Sequence, residues 1–64
     1  MRLVRESERA RITGVPRSTW YLRMKQGTAP KPVPIGENAV AWVEQELLDW
    51  VSQQIAKREE AKSA

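Results

Sequence analysis

The chain has 64 residues, of which 11 are Lys or Arg and 8 are Asp or Glu, for a formal net charge of +3. It contains no Cys and no His, which excludes a disulfide-stapled fold and removes the most common metal ligand and the most common catalytic base. We therefore expect one small domain that is not an enzyme, that holds no metal or cofactor, and whose three Trp supply much of its core.

The charge is unevenly divided along the chain. Residues 1–31 carry eight Lys or Arg and two acidic residues, a net charge of +6, whereas residues 32–64 carry three and six, a net charge of −3. A positive half beside a negative half indicates a face for a polyanion, and a solvated surface with no such role is the alternative. No apolar run reaches the length of a membrane span or a signal peptide, so we expect a cytoplasmic protein without membrane contact.

The first elements predicted are a short edge strand at residues 3–5 and a helix over about residues 6–13. Ser7 is the expected N-cap of this helix. Ala10 and Ile12 are its expected inward side chains, and Arg9 is expected to point outward or to lay its stem over the core. Gly14 suits the left-handed conformation that ends a helix.

A second helix is expected over about residues 17–26, after the break at Pro16 and before Gly27. Trp20 and Met24 lie four residues apart and form its inward stripe. Its outward face combines hydroxyl, aromatic, aliphatic and basic side chains. Two helices joined by a short Gly-containing turn are typical of a helix-turn-helix, whose second helix can enter a DNA major groove.

A hairpin is expected within about residues 31–42. Gly36 and Asn38 tolerate the positive φ that a tight turn needs. Pro32 and Pro34 confine the first of the two strands to an edge. A hairpin that follows a helix-turn-helix forms the wing of a winged helix.

A third helix is expected over about residues 44–62, where the apolar side chains follow the helical period. Its predicted inward stripe consists of Val43, Leu47, Trp50, Val51 and Ile55, with Leu48 at its margin. We expect Trp20, Trp42 and Trp50 to form one core cluster. An exposed stacking platform for single-stranded nucleic acid is the alternative.

The residues expected to contact duplex DNA lie on the second helix and the hairpin. Arg17 suits a bidentate contact to guanine, and hydroxyls beside it suit phosphate or base edges. The alternatives are helix capping for Ser18 and Thr19 and a core position for Tyr21. The full predicted set is Arg17, Ser18, Thr19, Tyr21, Leu22, Lys25, Lys31 and Asn38.

Four motifs in order carry a family resemblance: TGVPRSTWY at 13–21 with Gly27, PKPVPIG at 30–36, AVAW at 39–42, and a helix with Glu46 and Trp50. With them, residues 2–55 resemble the AlpA family of small phage and prophage regulators. Members usually carry apolar residues where Glu6 and Arg9 stand here, and a Phe where Ala29 stands.

The resemblance implies a mainly α-helical single domain with a small β-hairpin wing, a winged helix-turn-helix of the MerR/excisionase type. It implies a sequence-specific regulator that binds double-stranded DNA and controls phage, prophage or mobile-element genes. The recognition helix falls on residues 17–26 and the wing on residues 31–42. An excisionase-like recombination directionality factor is the alternative, as is an adaptor whose C-terminal helix docks a recombinase or RNA polymerase. A domain of this size offers a small DNA contact area, so we expect a homo-oligomer on repeated or inverted half-sites, or a helper protein.

Overall fold

Three helices and three short strands build the protein. The computed structural model describes residues 2–63, with side chains described for residues 2–60. The elements in chain order are β1 (Leu3–Val4), α1 (Glu6–Thr13), α2 (Arg17–Lys25), β2 (Val33–Gly36), β3 (Ala39–Val43) and α3 (Glu44–Ser63). This mostly helical architecture with its small antiparallel sheet confirms the predicted winged helix-turn-helix.

The turn between α1 and α2 begins at Gly14, where φ is +70°. The Gly14 amide donates a hydrogen bond of 2.7 Å to the Ala10 carbonyl, which satisfies one of the last free carbonyls of α1. Pro16 has extended backbone angles and precedes α2 as its N-cap, so it lies one residue before the first helical turn. The predicted helix-turn-helix is therefore present, with three residues between the helices.

The N-cap of α1 differs from the expectation. Arg5 occupies the N-cap position, and no side chain caps the helix there. Ser7 lies inside the first turn and is exposed, so its prediction as the N-cap is wrong. The helix itself begins at Glu6 and ends at Thr13, as predicted, and the acidic Glu6 and Glu8 fall in its first turn, where the helix dipole favours negative charge.

The end of α2 is closed by Gly27, where φ is +78°. The Gly27 amide donates to the Met24 carbonyl at 3.1 Å, and the Thr28 amide donates to the Arg23 carbonyl at 2.9 Å. These two bonds form a Schellman motif, which a left-handed residue at this position makes possible. The glycine predicted to stop the second helix does so.

The sheet has the strand order β1-β3-β2, and both pairings are antiparallel. Val4 lies opposite Trp42, and Val33 lies opposite Ala41. β2 therefore forms an outer edge of the sheet, as its prolines predict. The pairing shifts by one residue between Pro34 and Gly36, so Ile35 forms a β-bulge.

The hairpin turn is tight but has different backbone angles from those expected. Gly36 pairs with Ala39, which leaves Glu37 and Asn38 as the connecting residues. Among residues 2–63, positive φ occurs only at Gly14 and Gly27. The expectation of positive φ at Gly36 and Asn38 is therefore wrong, and the bulge at Ile35 accompanies the turn instead.

The core is built around the three tryptophans, as predicted. Trp20 and Trp42 are fully buried, and Trp50 is 7% exposed. The Trp20 and Trp50 rings pack edge to face with their centroids 5.0 Å apart. Val4, Met24 and Leu47 complete the buried apolar cluster. Because all three indoles are buried, the structure excludes the alternative of a stacking platform for single-stranded nucleic acid.

The apolar stripe of α3 is buried only along the first half of the helix. Leu47 and Trp50 face the core, and Val51 is half-buried. Leu48 and Ile55 are 44% and 49% exposed, so the prediction that Ile55 faces inward is wrong. The described chain spans 46 Å in its longest dimension, and its sheet and other two helices are too short to cover all 20 residues of α3.

Arg9 is the main departure from the sequence-based expectations. It was expected to point outward or to lay its stem over the core, but the whole side chain, guanidinium included, is buried. Its guanidinium forms two hydrogen bonds to the carboxylate of Glu6, one turn earlier on α1. The Glu6 side chain is 34% exposed, so the pair joins a buried cation to a carboxylate at the surface.

The same guanidinium also fixes the turn between α1 and α2. Arg9 Nη1 donates to the Val15 carbonyl at 2.9 Å and to Thr13 Oγ1 at 3.1 Å. Thr13 Oγ1 in turn accepts a bond from the Val15 amide at 3.3 Å. With the bonds to Glu6, each of the three guanidinium nitrogens has a partner, as a buried arginine needs.

Candidate nucleic-acid interface

Helix α2 turns one face into the core and the opposite face outward. Trp20 and Met24 are buried, so the side chains on the opposite side of the helix project from the domain. The outward set is exposed throughout, with Leu22 at 54% and Tyr21 at 37%. It consists of Arg17, Ser18, Thr19, Tyr21, Leu22 and Lys25, which are the residues predicted for this face.

The two hydroxyls at the start of α2 have no structural partner. No side chain caps the N-terminus of α2, and within the described chain neither Ser18 nor Thr19 forms a side-chain hydrogen bond. The alternative that these residues serve as helix caps therefore lacks support. Both hydroxyls, and the free amides of the first helical turn, are available to a ligand.

Arg17 and Tyr21 form a connected pair at the margin of this face. The Arg17 guanidinium carbon lies 5.1 Å from the centre of the Tyr21 ring, a cation–π distance. The Tyr21 ring packs edge to face on Trp42, with centroids 6.4 Å apart. Tyr21 thus rests on the core with one side and supports an exposed cation with the other. A shallow hollow of about 580 Å³ lies beside Arg17, Ser18 and Tyr21.

The cations on the outward face of α2 and in the loop after it are not neutralised by acidic side chains of the described chain. Within residues 2–60, Arg17, Lys25 and Lys31 form no ion pair. Arg2, by contrast, pairs with Glu44 and lies 3.6 Å from Glu8. The hydrogen bond and attraction to Glu44, with a further attraction to Glu8, raise the pKa of Arg2. The positive charge of α2 and the following loop therefore remains available to an anionic partner.

The loop between α2 and β2 is held by two indole groups. Trp42 Nε1 donates to the Pro30 carbonyl at 3.3 Å, and Trp50 Nε1 donates to the Thr28 carbonyl at 2.9 Å. Lys31, which is exposed, belongs to this loop rather than to β2. These bonds fix the path of the chain from the end of α2 to the wing, and the sequence alone does not disclose them.

The tip of the wing carries the last predicted contact residue. Asn38 is exposed in the turn between β2 and β3, beside the exposed carboxylate of Glu37. The structure therefore places six predicted residues on one helix, Lys31 in the loop after it, and Asn38 at the hairpin tip.

The fold and this surface define a winged helix-turn-helix with an exposed basic helix. The chain belongs to the family described as prophage CP4-57 regulatory protein (AlpA), whose sequence profile matches residues 2–55. It is 33% identical over 63 residues to uncharacterized protein ORF88 of Enterobacteria phage P4, covering 98% of this chain and 72% of that protein. No solved structure matches the chain significantly. The family is a regulatory one rather than an enzymatic one.

Within residues 2–63, no helix is long and apolar enough to cross a membrane. No cluster of three or more His, Cys, Asp or Glu side chains there could hold a metal ion.

Proposed function

We propose that the chain binds duplex DNA sequence-specifically and regulates genes of a phage or prophage in the bacterial cytoplasm. Membership of a prophage regulatory family supports this proposal, and the exposed, unpaired cations of α2 are the observation that carries it. In this proposal α2 lies in the major groove and the β2–β3 wing lies over the flanking backbone.

The dimensions and chemistry of α2 suit a major groove. An α-helix with its side chains is about 10–12 Å across, which fits a groove about 12 Å wide. Arg17 presents a guanidinium for a guanine edge, and Lys25 presents a point charge for phosphate. Ser18 and Thr19 supply hydroxyls without internal partners. The Leu22 side chain offers an apolar contact to a thymine methyl group.

The wing supplies the second set of contacts in this proposal. Tyr21 of α2 packs against Trp42 of β3, so the helix and the wing are held in a fixed relation. Lys31 and Asn38 are exposed and would meet the backbone beside the major groove.

The test is footprinting on the DNA that flanks the gene, followed by gel shifts at several salt concentrations. We expect protection of a defined site and weaker binding as salt rises. Lys25→Ala should weaken binding and lower the salt slope by about one. Arg58→Ala is the control, since Arg58 lies on α3 in a groove that none of the proposed DNA contacts lines, and it should leave the slope unchanged. Equal binding to all sequences, or equal effects of both variants, would contradict the proposal.

Several copies are expected on each natural site. A single module of this size buries roughly 600–1,000 Å² on DNA, which is small for tight, specific binding. Repeated protected half-sites in the footprint would support a homo-oligomer. Tight binding of one monomer to an isolated half-site would argue against it.

The alternative is an excisionase-like role, which would use the same surface. An excision assay on the resident element, run beside a promoter reporter, separates the two roles. Loss of excision with an unchanged reporter would favour recombination directionality, with a recombinase as the protein partner. Loss of reporter control alone would favour transcription regulation, with RNA polymerase as the partner.

A further inference from the structure

A second surface lies where the ends of α1 and α2 meet α3. It is a groove of about 390 Å³, on the side of α2 that carries Arg23. None of the residues predicted to contact DNA lines it. Its lining includes Thr13, Arg23, Trp50, Val51, Ile55 and Arg58.

Arg23 carries a buried donor without a partner. Its Nε is buried and donates to no atom of the described chain. The guanidinium carbon lies 5.9 Å from the centre of the Trp50 ring, so one side of the charge rests on an aromatic surface. Within residues 2–60 Arg23 forms no ion pair. A partly buried guanidinium with an unsatisfied N–H favours a carboxylate as its ligand.

The groove also exposes apolar surface on α3. Ile55 is 49% exposed and Val51 is half-buried beside it. The apolar stripe of α3 therefore continues past the point where the rest of the domain covers it. Such a surface gains more from an apolar side chain than from a phosphate backbone, which favours protein over DNA as the occupant.

The charge of the groove is positive. Arg58 lies at its rim and forms an ion pair with its neighbour Glu59, and both side chains are largely exposed. Glu46 and Asp49 line a different groove on α3, facing the loop after α2. The groove thus combines two guanidiniums with apolar side chains.

We propose that this groove docks an acidic amphipathic segment of a partner protein. Apolar side chains of the segment would cover Val51 and Ile55, while its carboxylates would bind Arg23 and Arg58. A second copy of this chain is a poorer occupant. Two-fold pairing of the groove with itself would set its guanidiniums against those of the other copy. The inference does not depend on DNA binding.

The test is an NMR titration of the isotope-labelled full chain with a synthetic helical peptide. The peptide has about four turns, with Leu on one face and Asp along its margins. We expect shifts at the Arg23 Nε–H signal and at the amides of residues 51–58, and none along residues 17–22. Arg23→Gln and Arg58→Gln should each weaken binding about tenfold, as expected for a lost charge-assisted hydrogen bond. Lys57→Gln, one residue from Arg58 but in the other groove, should change it little.

A peptide with Ser in place of Leu should bind at least about tenfold more weakly if the apolar contacts matter. The inference is overturned if the Leu peptide causes no shifts, or if the Ser peptide binds equally well. It is also overturned if the shifts fall on the outward face of α2, or if duplex DNA and not the peptide shifts the Arg23 signal. An amide spectrum of each variant, recorded first, shows that the fold is retained.

Discussion

The buried guanidinium of Arg9 lies 4.9 Å from the centre of the Trp20 ring and thereby joins α1 to the inward face of α2. Arg9→Ala should lower the free energy of unfolding by about 2–5 kcal/mol, because it leaves a cavity beside Trp20 and removes the bonds that hold the turn. Arg9→Met should lower it less, since Met keeps length and apolar contact. Denaturant titration followed by tryptophan fluorescence measures both.

The control for Arg9 is Arg11, which is exposed on the same helix. Arg11→Ala should change the free energy of unfolding by less than about 0.5 kcal/mol. If Arg9→Met were as unstable as Arg9→Ala, the hydrogen bonds to Thr13 and Val15, rather than packing, would dominate the contribution of Arg9.

The two left-handed glycines should be sensitive to substitution for backbone reasons alone. A Cβ at Gly14 or Gly27 would meet nothing within 4 Å, so Gly14→Ala and Gly27→Ala should each cost only the left-handed penalty, about 1–2 kcal/mol. Gly36→Ala is the control, because φ there is not positive and its Cβ would make an ordinary contact of 3.7 Å with Ala39. In thermal unfolding, the Tm of Gly36→Ala should lie closest to the Tm of the unsubstituted chain. Equal losses at all three positions would contradict this explanation.

Arg17 and Tyr21 should act together in DNA binding, because the ring supports the guanidinium. Arg17→Ala should weaken binding to the specific site by about 1–3 kcal/mol and relax the preference at one base pair. Tyr21→Ala should remove part of the same effect, so the double variant should show a coupling energy of at least about 0.5 kcal/mol. Tyr21→Phe should retain the coupling. Strictly additive losses, measured by gel shift on matched duplexes, would show that the two side chains act independently.

The carboxylate at the wing tip should oppose binding if the wing lies over the backbone. Glu37 is exposed beside Asn38, and a negative charge there repels phosphate. Glu37→Gln should tighten DNA binding at low salt by up to about 1 kcal/mol, and the gain should shrink as salt screens the repulsion. Glu60→Gln, on the far end of α3, is the control and should have a smaller effect. Weaker binding of Glu37→Gln at low salt would place the wing away from the phosphates.

Local signals made much of this fold predictable. Gly14 and Gly27 mark helix ends, and the two prolines before Ile35 mark an edge strand, because these residue types restrict the backbone directly. The period of Trp20 and Met24 identifies the buried face of α2, and with it the outward set of the candidate site.

Features that depend on tertiary contacts were not predictable in this way. Arg9 is buried because a carboxylate, a hydroxyl and a carbonyl surround it, and only the Glu6 at a spacing of three residues signals this in the sequence. Ile55 follows the helical period but lies beyond the reach of the short sheet and the other helices. Whether such an apolar residue is buried depends on how far the neighbouring elements extend, and the sequence of α3 alone does not show this.

Pro34 of β2 and Pro32 just before it also bear on contacts between copies of this chain at high concentration. An exposed edge strand has unpaired N–H and C=O groups, to which a strand of another molecule can hydrogen-bond. Pro34 has no amide hydrogen to offer, nor has Pro32 just before the strand. This border therefore has fewer donors to offer a strand of a second molecule, which disfavours extension of the sheet from one copy to the next.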